Sequence, residues 1–191
     1  VLSSTQGDCK DNDLTAEGAV PAVGPEGEIY CAWARNDSIF FNKSTDEGET
    51  WNKKEQYIID QPEGWVIDIP GIYRCNGLPV TACDVSGKEY NGNIYVNWAD
   101  QRNGTDNTDI WVIKSTDKGE SWGKPVLVNN DKTNRHQFLT WMTIDQVTGY
   151  VYCVFYDRRN SKGRATEVTL AVSKDGGDSF ENFVISETPF G

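Results

Sequence analysis

The sequence has little positive charge and a single histidine. Its 191 residues include 18 Lys and Arg against 29 Asp and Glu, which gives a net charge of −11 and a pI near 4.5. Binding to nucleic acids or to anionic membranes requires clustered Lys and Arg, so this balance argues against both functions. One His and no Cys-x-x-C pair leave no zinc-binding pattern. A small anionic ligand held by a local group of arginines stays compatible with this composition.

Long apolar runs are also lacking. The longest ones have the length of a β-strand, which is too short for a membrane-spanning helix or for the core of a signal peptide. If the protein is exported, we expect its targeting segment to lie outside this sequence. Only five cysteines are present, an odd number that cannot all pair within one chain.

One octapeptide pattern, Ser-x-Asp-x-Gly-x-Ser/Thr-Trp/Phe, occurs three times. Its Asp can accept hydrogen bonds from the backbone of its own turn, and its Gly supplies a positive φ without strain. The terminal aromatic residue begins the returning strand, so the pattern predicts a hairpin turn in which these positions are structural. They are Asp46, Gly48 and Trp51, then Asp117, Gly119 and Trp122, then Asp175, Gly177 and Phe180.

Strand-like runs flank each copy of the octapeptide in the same order. In the first unit, runs at 19–23, 29–35 and 39–42 precede the octapeptide and a fourth run follows it. Each unit is therefore predicted to be a four-stranded antiparallel meander, the structure of a propeller blade. The predicted blades span residues 14–60, 78–129 and 138–187, and residues 1–13 lead into the first blade as a loop.

The octapeptide resembles the Asp-box, or bacterial neuraminidase repeat, of sialidase-like β-propellers. The stretches Glu17–Pro25, Ile69–Pro79 and Phe155–Asn160 are similar to those of secreted bacterial sialidase-like proteins. The resemblance covers nearly the whole chain and implies an all-β, sialidase-like β-propeller fold. It also implies glycan recognition by a secreted or cell-surface protein, with exo-α-sialidase, a glycoside hydrolase, as the activity to consider.

Three blades are too few for a closed propeller, which needs about four to eight. We therefore expect a segment of a longer chain, with a propeller of six or more blades, or a ring completed by further copies. The expected partners are those remaining blades and a glycan or glycoconjugate. Neither nucleic acid nor membrane insertion is expected.

Candidate ligand-binding residues lie in the loops between second and third strands and in the connections between blades. The topology places both on the face opposite the octapeptides, which is the catalytic face of the sialidases that the sequence resembles. Arginines collect there, and a guanidinium group fits a carboxylate, such as that of sialic acid, bidentately. The candidates are Arg74, Arg102, Arg135, His136, Arg158, Arg159 and Trp65, the last as a platform for a sugar ring.

Several of these residues have a structural alternative. The pairs Asp100 with Arg102 and Asp157 with Arg159 recur in successive units and could instead join loops or blades through salt bridges. His136 also fits the structural role of a loop residue that is held by hydrogen bonds. The strand tryptophans Trp111 and Trp141 are expected in the core.

The catalytic residues stay unknown from this sequence. Sialidases of the resembled family pair a Tyr nucleophile with a Glu and use an Asp as acid/base. Tyr156 and Asp157 are weak candidates, since Tyr156 also fits a packing role, and no Arg-Ile-Pro motif is present. A non-catalytic propeller scaffold or protein-interaction module is therefore the alternative function, followed by a glycosidase or lyase that acts on another polysaccharide.

The cysteines fall into two groups. Cys31, Cys83 and Cys153 lie in strand-like runs and are expected to be small core residues. Cys9 and Cys75 precede successive blades on the same predicted face, which makes them the candidate disulfide pair.

An acidic run near the start of the sequence is the only candidate for a metal site. Asp8, Asp11 and Asp13 could supply oxygen ligands to calcium, although the run also fits a solvated loop. No cofactor is required by the expected function.

Overall fold

The computed structural model describes residues 1–7, 10 and 12–191. Within that part of the chain the regular structure is twelve β-strands, with no helix. The strands are β1 (Glu17–Val23), β2 (Ile29–Ala34), β3 (Ser38–Ser44), β4 (Gln56–Asp60), β5 (Val80–Cys83), β6 (Ile94–Asp100), β7 (Asp109–Ser115), β8 (Val126–Leu127), β9 (Gln137–Ile144), β10 (Val151–Asp157), β11 (Glu167–Ser173) and β12 (Glu181–Val184). None of the described segments forms a helix able to span a bilayer.

The strands form three four-stranded sheets, each an antiparallel meander in chain order. We call them blade 1 (β1–β4), blade 2 (β5–β8) and blade 3 (β9–β12). The first strands of successive blades contact one another, β1 with β5 and β5 with β9, so these strands lie innermost. The predicted all-β fold of three four-stranded blades is confirmed.

Blade 2 is packed between the other two blades, and the burial of its strands shows this. All seven residues of β6 are buried, as expected for a strand that is covered on both faces. In β10 of blade 3, by contrast, Val151, Cys153 and Phe155 are buried on one face, whereas Tyr156 on the other face is exposed. Blade 3 therefore buries one face against blade 2.

Two apolar cores hold the blades together. The core between blades 1 and 2 includes Phe41 and Trp98, which are at most 1% exposed. The core between blades 2 and 3 includes Phe138 and Phe155, which are equally buried. Burial of large aromatic side chains is the main stabilising contribution at both contacts.

The strand cysteines are core residues, as predicted. Cys31, Cys83 and Cys153 are buried with free thiols, and burial raises the pKa of Cys31 to about 11. Cys75 is buried as well. Its proposed disulfide partner Cys9 lies outside the described residues, and the pairing stays a prediction.

The three octapeptides form the turns between third and fourth strands with one shared set of hydrogen bonds. In the second turn, the Asp117 carboxylate accepts from Ser121 N at 2.9 Å, from the Ser121 hydroxyl at 2.5 Å and from Ser115 Oγ at 2.7 Å. Gly119 N in turn donates to Ser115 Oγ at 2.8 Å. Equivalent bonds centre on Asp46 and Asp175. The side-chain oxygens of these turns are thus used within the turns.

The glycine of an octapeptide also sits against the preceding blade. Gly119 has a φ of +79°, and a Cβ there would lie 2.4 Å from a ring carbon of Phe41 in blade 1. Trp122 packs edge-on against the same ring, with centroids 5.1 Å apart. In the third turn, a Cβ on Gly177 would lie 3.0 Å from the Tyr95 ring of blade 2. Glycine is required here both for its backbone angle and for its size.

The expectation that Trp141 lies in the core is wrong. The residue is in β9, but it is 58% exposed. β9 has a register shift between the pairs Phe138–Tyr156 and Trp141–Val154, so Leu139 and Thr140 together face one partner residue. Such a bulge changes which face the following side chains occupy. Trp111 is partly buried, with the Arg102 guanidinium 4.7 Å from its ring centroid.

Candidate functional site: a basic pocket opposite the octapeptide turns

A pocket of about 340 Å³ lies among the loops on the face opposite the octapeptide turns. Its walls come from the connections before blades 2 and 3 and from the β6–β7 and β10–β11 loops. The charged and titratable residues that line it are Arg135, His136, Arg158, Lys162, Arg164 and Asp106. We call this cavity the basic pocket.

Arg158 anchors the floor of the basic pocket. Only 4% of its surface is exposed; its Nε donates to Thr166 Oγ1 at 3.0 Å and its Nη1 donates to the Pro70 carbonyl at 2.8 Å. Its guanidinium lies 5.2 Å from the centroid of the Phe138 ring. Nη2 makes no hydrogen bond with any described residue, which leaves a donor for a ligand.

His136 lies beside Arg158 and is 9% exposed. Its Nδ1 is 3.0 Å from Thr108 Oγ1, and its main-chain carbonyl accepts a hydrogen bond from Arg158 N at 3.1 Å. Burial lowers the pKa of His136, and the neighbouring positive charge of Arg158 lowers it further. The imidazole is thus biased toward its neutral form while the pocket has no anion.

Arg164 brings a second guanidinium close to the first. Its side chain lies against Gly71, where a Cβ would come within 2.9 Å of Arg164 Cδ. The pKa of Arg158 is lowered by burial and then by the charge of Arg164. Two arginines that repel each other in this way form a site suited to an anion, because a bound negative charge relieves the repulsion.

Negative charge near the basic pocket is limited to its edge in the described part of the chain. Asp106 lines the pocket and is exposed, and the charges of Asp106 and Asp68 act to raise the pKa of His136. Neither carboxylate forms an ion pair with a pocket cation in the described residues. The carboxylates could accept hydrogen bonds from hydroxyl groups of a ligand.

Arg102 and Arg159 lie outside the basic pocket, and both form salt bridges. Arg102 binds the fully buried carboxylate of Asp100 and donates to the Asp60 carbonyl at 3.0 Å. Arg159 binds the equally buried Asp157 and reaches Asn130 and Asn182 of neighbouring strands and loops. These contacts match the structural alternative that the sequence left open for both pairs.

Arg74 and Trp65 also lie apart from the basic pocket. The Arg74 guanidinium is 5.9 Å from the centroid of the Trp65 ring, and Arg74 is exposed whereas Trp65 is half-buried. The two residues thus form a cation–π contact in the connection between blades 1 and 2. Their role in ligand binding stays a prediction.

The weak catalytic candidates are engaged in packing contacts. Tyr156 lies between the rings of Phe138 and Phe190, with centroids 5.6 and 5.7 Å away. The Asp157 carboxylate accepts hydrogen bonds from Gln137, Thr169 and Arg159 and is fully buried. Neither residue lines the basic pocket.

The calcium candidates fall mostly outside the described residues, where Asp8 and Asp11 lie. Asp13 accepts a hydrogen bond from Asp37 N at 2.7 Å, and burial raises the pKa of its carboxyl. Within the described ranges, no group of three or more His, Cys, Asp or Glu is arranged to hold a metal ion. The calcium site stays untested.

Two cations of the basic pocket were absent from the sequence-based candidates. Lys162 and Arg164 lie in the β10–β11 loop, a second-to-third-strand loop of the kind already predicted to face the ligand. The run Ser161-Lys162-Gly163-Arg164 was the available signal. Its proximity to Arg135, in another loop, depends on the paths of both loops.

No protein-family model and no curated protein matches this chain. Among solved structures, it is similar to a Dyadobacter fermentans protein of unknown function, with 16% identity and a TM-score of 0.62 over 98% of this chain and 58% of that one. It is also similar to an α-L-arabinofuranosidase of Fusarium graminearum, with 15% identity and a TM-score of 0.60 over 99% of this chain and 53% of that one. A third similar structure is a Hadza microbial sialidase, with 16% identity and a TM-score of 0.56 over 86% of this chain and 37% of that one.

These comparisons define the fold. At such identities, similarity shows architecture alone. The chain has the β-propeller architecture found in sialidase and arabinofuranosidase structures, and it spans about half the length of the first two similar chains.

Proposed function

We propose that the chain is part of a secreted or cell-surface, sialidase-like propeller that binds glycans carrying a carboxylate, with sialic acid as the sugar to test first. The observation that carries this proposal is the basic pocket, in which Arg135, Arg158, Lys162 and Arg164 meet on one face. The charge of Arg164 acts against that of Arg158, which lowers the pKa of Arg158, and a bound anion would offset such repulsion. An anionic ligand explains the arrangement.

The chemistry of the pocket fits a carboxylate attached to a polyhydroxylated ring. Arg135 and Arg164 supply guanidinium donors, and the Arg158 Nη2 adds one from the floor of the pocket. Charge-assisted hydrogen bonds of this type are about twice as strong as neutral ones. Asp106, which lines the pocket, could accept hydrogen bonds from ring hydroxyls, which a bare inorganic anion lacks.

Catalysis is a separate part of the proposal. An exo-α-sialidase would need a nucleophile and an acid/base group beside the bound sugar, and these could lie in blades beyond the three described here. The alternative is a propeller that binds without hydrolysis, and the packing of Tyr156 and the burial of Asp157 favour it.

Isothermal titration with sialyllactose and lactose tests binding directly. We expect the full chain to bind sialyllactose and to bind lactose at least tenfold more weakly. Arg135→Ala and Arg164→Ala should each weaken sialyllactose binding about tenfold, the cost of one charge-assisted contact. Lys124→Ala removes the same charge from an exposed position on the octapeptide face and should change nothing.

Two results would contradict the binding proposal. One is equal affinity for the two sugars, and the other is an equal loss with Lys124→Ala, which would indicate an effect of overall charge. Release of sialic acid from a fluorogenic α-sialoside then separates enzyme from binding module. Hydrolysis that is lost in Arg135→Ala supports an enzyme, whereas binding without turnover supports a scaffold.

A further inference from the structure

A second cavity of about 370 Å³ lies on the same face, along the innermost strands of all three blades. Its lining includes Val20 of β1, Val80 of β5 and Trp141 of β9. We call it the axial cavity. No residue of the described part of the chain lines both this cavity and the basic pocket.

The three blades contribute equivalent positions to the axial cavity. Val20 pairs with Ala32, Val80 with Asn97, and Trp141 with Val154, and each partner is two residues beyond the Tyr of its second strand. Two of the three equivalent positions therefore hold Val, and the third holds Trp. Blade packing does not require the larger side chain, because 58% of Trp141 is exposed.

The backbone beside Trp141 is also unusual. β1 and β9 have a register shift at the same place, which makes Gly18 and Leu139 equivalent. Gly18 has a φ of +68°, and Leu139 has a φ of +51°. Glycine adopts this conformation freely, whereas a leucine there is strained, and such strain persists where the surrounding structure or a function requires it. The bulge is what turns Leu139 and Trp141 toward the cavity.

The polar groups of the axial cavity are few. Asn76 lines it, and its side-chain amide forms no hydrogen bond with a described residue. The amide can both donate and accept. An exposed indole with one unused amide nearby matches the two faces of a sugar, in which C–H groups pack on an aromatic ring and hydroxyls bond at the edge.

We propose that the axial cavity binds a neutral pyranose ring, stacked on Trp141 and hydrogen-bonded by Asn76. Among the described residues no cation lines this cavity, so we expect its ligand to differ in charge from the ligand of the basic pocket. The site is independent of the proposed carboxylate site, and either can fail without the other.

Ligand-observed NMR titration of the full chain with the methyl β-glycosides of glucose, galactose and mannose tests the proposal. We expect saturable binding of at least one glycoside in the millimolar range. Trp141→Val places at this position the Val that blades 1 and 2 have at the equivalent positions. The substitution should weaken glycoside binding at least tenfold without lowering the melting temperature. Phe183→Val, at a half-exposed aromatic residue of the outermost strand β12, is the matched control and should leave binding unchanged.

The proposal is overturned if none of the three glycosides binds saturably, or if Phe183→Val weakens binding as much as Trp141→Val. A lowered melting temperature for Trp141→Val would also overturn it, because the ring would then be covered by protein. If no sugar binds to the natural chain and Trp141→Val abolishes self-association of the chain, the occupant of the cavity is a second copy instead. Arg135→Ala should not affect these titrations, which separates this test from that of the basic pocket.

Discussion

The ammonium group of Lys114 lies 2.8 Å from the main-chain carbonyl oxygen of Gly176. This contact joins β7 of blade 2 to the octapeptide turn of blade 3. Lys43 makes the same contact one blade earlier, 2.7 Å from the carbonyl oxygen of Lys118. Each lysine also forms an ion pair with the sixth residue of the contacted octapeptide, Glu120 or Asp178. The turns and the lysines together form a repeated contact between blades. In blade 3 the equivalent position is Val172.

Replacing Lys114 by Met tests this contact. Lys114→Met should lower the free energy of unfolding by about 1 kcal/mol, because it removes a hydrogen bond to a carbonyl together with a partly exposed ion pair. Urea denaturation measures the change. Lys174→Met is the control, since its ion pair with Glu181 is exposed on both sides and its loss should be close to neutral. Equal effects would mean that the contact between blades contributes nothing of its own.

Gly119→Ala should be strongly destabilising. A left-handed φ costs a residue with a Cβ about 1–2 kcal/mol, and overpacking against Phe41 adds about 1–3 kcal/mol. Gly27 has a similar φ of +89° but open space around its Cβ position. Gly27→Ala should therefore show the backbone cost alone, about 1–2 kcal/mol. Thermal unfolding of both variants isolates the contribution of the clash, and equal melting temperatures would disprove the close fit between turn and blade.

Because of the octapeptide aspartates, the free energy of unfolding should depend on pH in the acidic range. Hydrogen bonds from Ser121 and Ser115 lower the pKa of Asp117 to about 2, below its ordinary value of 3.8. A lowered carboxyl pKa stabilises the fold above pH 3.8, and the contribution is lost as the pH falls toward about 2. Asp117→Asn should therefore be less stable than the natural protein at pH 7, with a gap that closes near pH 2. A gap that is constant with pH would contradict the charged role of this side chain.

His136 should make ligand binding depend on pH. Burial and Arg158 lower its pKa in the free protein, and a carboxylate bound in the basic pocket would raise it again. The complex then holds more protons than the free protein, so sialyllactose affinity should rise several-fold as the pH falls from about 8 to below the ordinary His value of about 6.5. Titrations of His136→Asn across the same range should show a flat profile, and an unchanged slope in that variant would exclude His136 as the titrating group.

The fold could be predicted from the sequence because the residues that specify each blade lie close together in the chain. Each octapeptide specifies its own turn through Asp and Gly, and the strand runs repeat around it. The contact of Gly119 with Phe41 was less accessible, since it joins residues of different blades. The bulge at Leu139 was not visible at all, because leucine is not a residue that signals a positive φ. The prediction that Trp141 is buried failed for this reason.

The candidate site was predictable only in part. Arg135, His136 and Arg158 were identified from their places in the topology, and they do meet in one pocket. Lys162 and Arg164 were missed because the path of the β10–β11 loop depends on contacts with Gly71 and Thr166 that are distant in sequence or unmarked by a motif. The structural role of the recurring Asp/Arg pairs, by contrast, could be predicted from their repetition in successive units, and both pairs form salt bridges within the blades.

A crystal structure of the full chain soaked with sialyllactose would show directly whether the basic pocket binds a carboxylate. We expect the sialic acid carboxylate within hydrogen-bonding distance of Arg135 and Arg164, with Arg158 Nη2 as a further donor. A glycan bound with its carboxylate away from these side chains, or a basic pocket without ligand at saturating sugar, would contradict it.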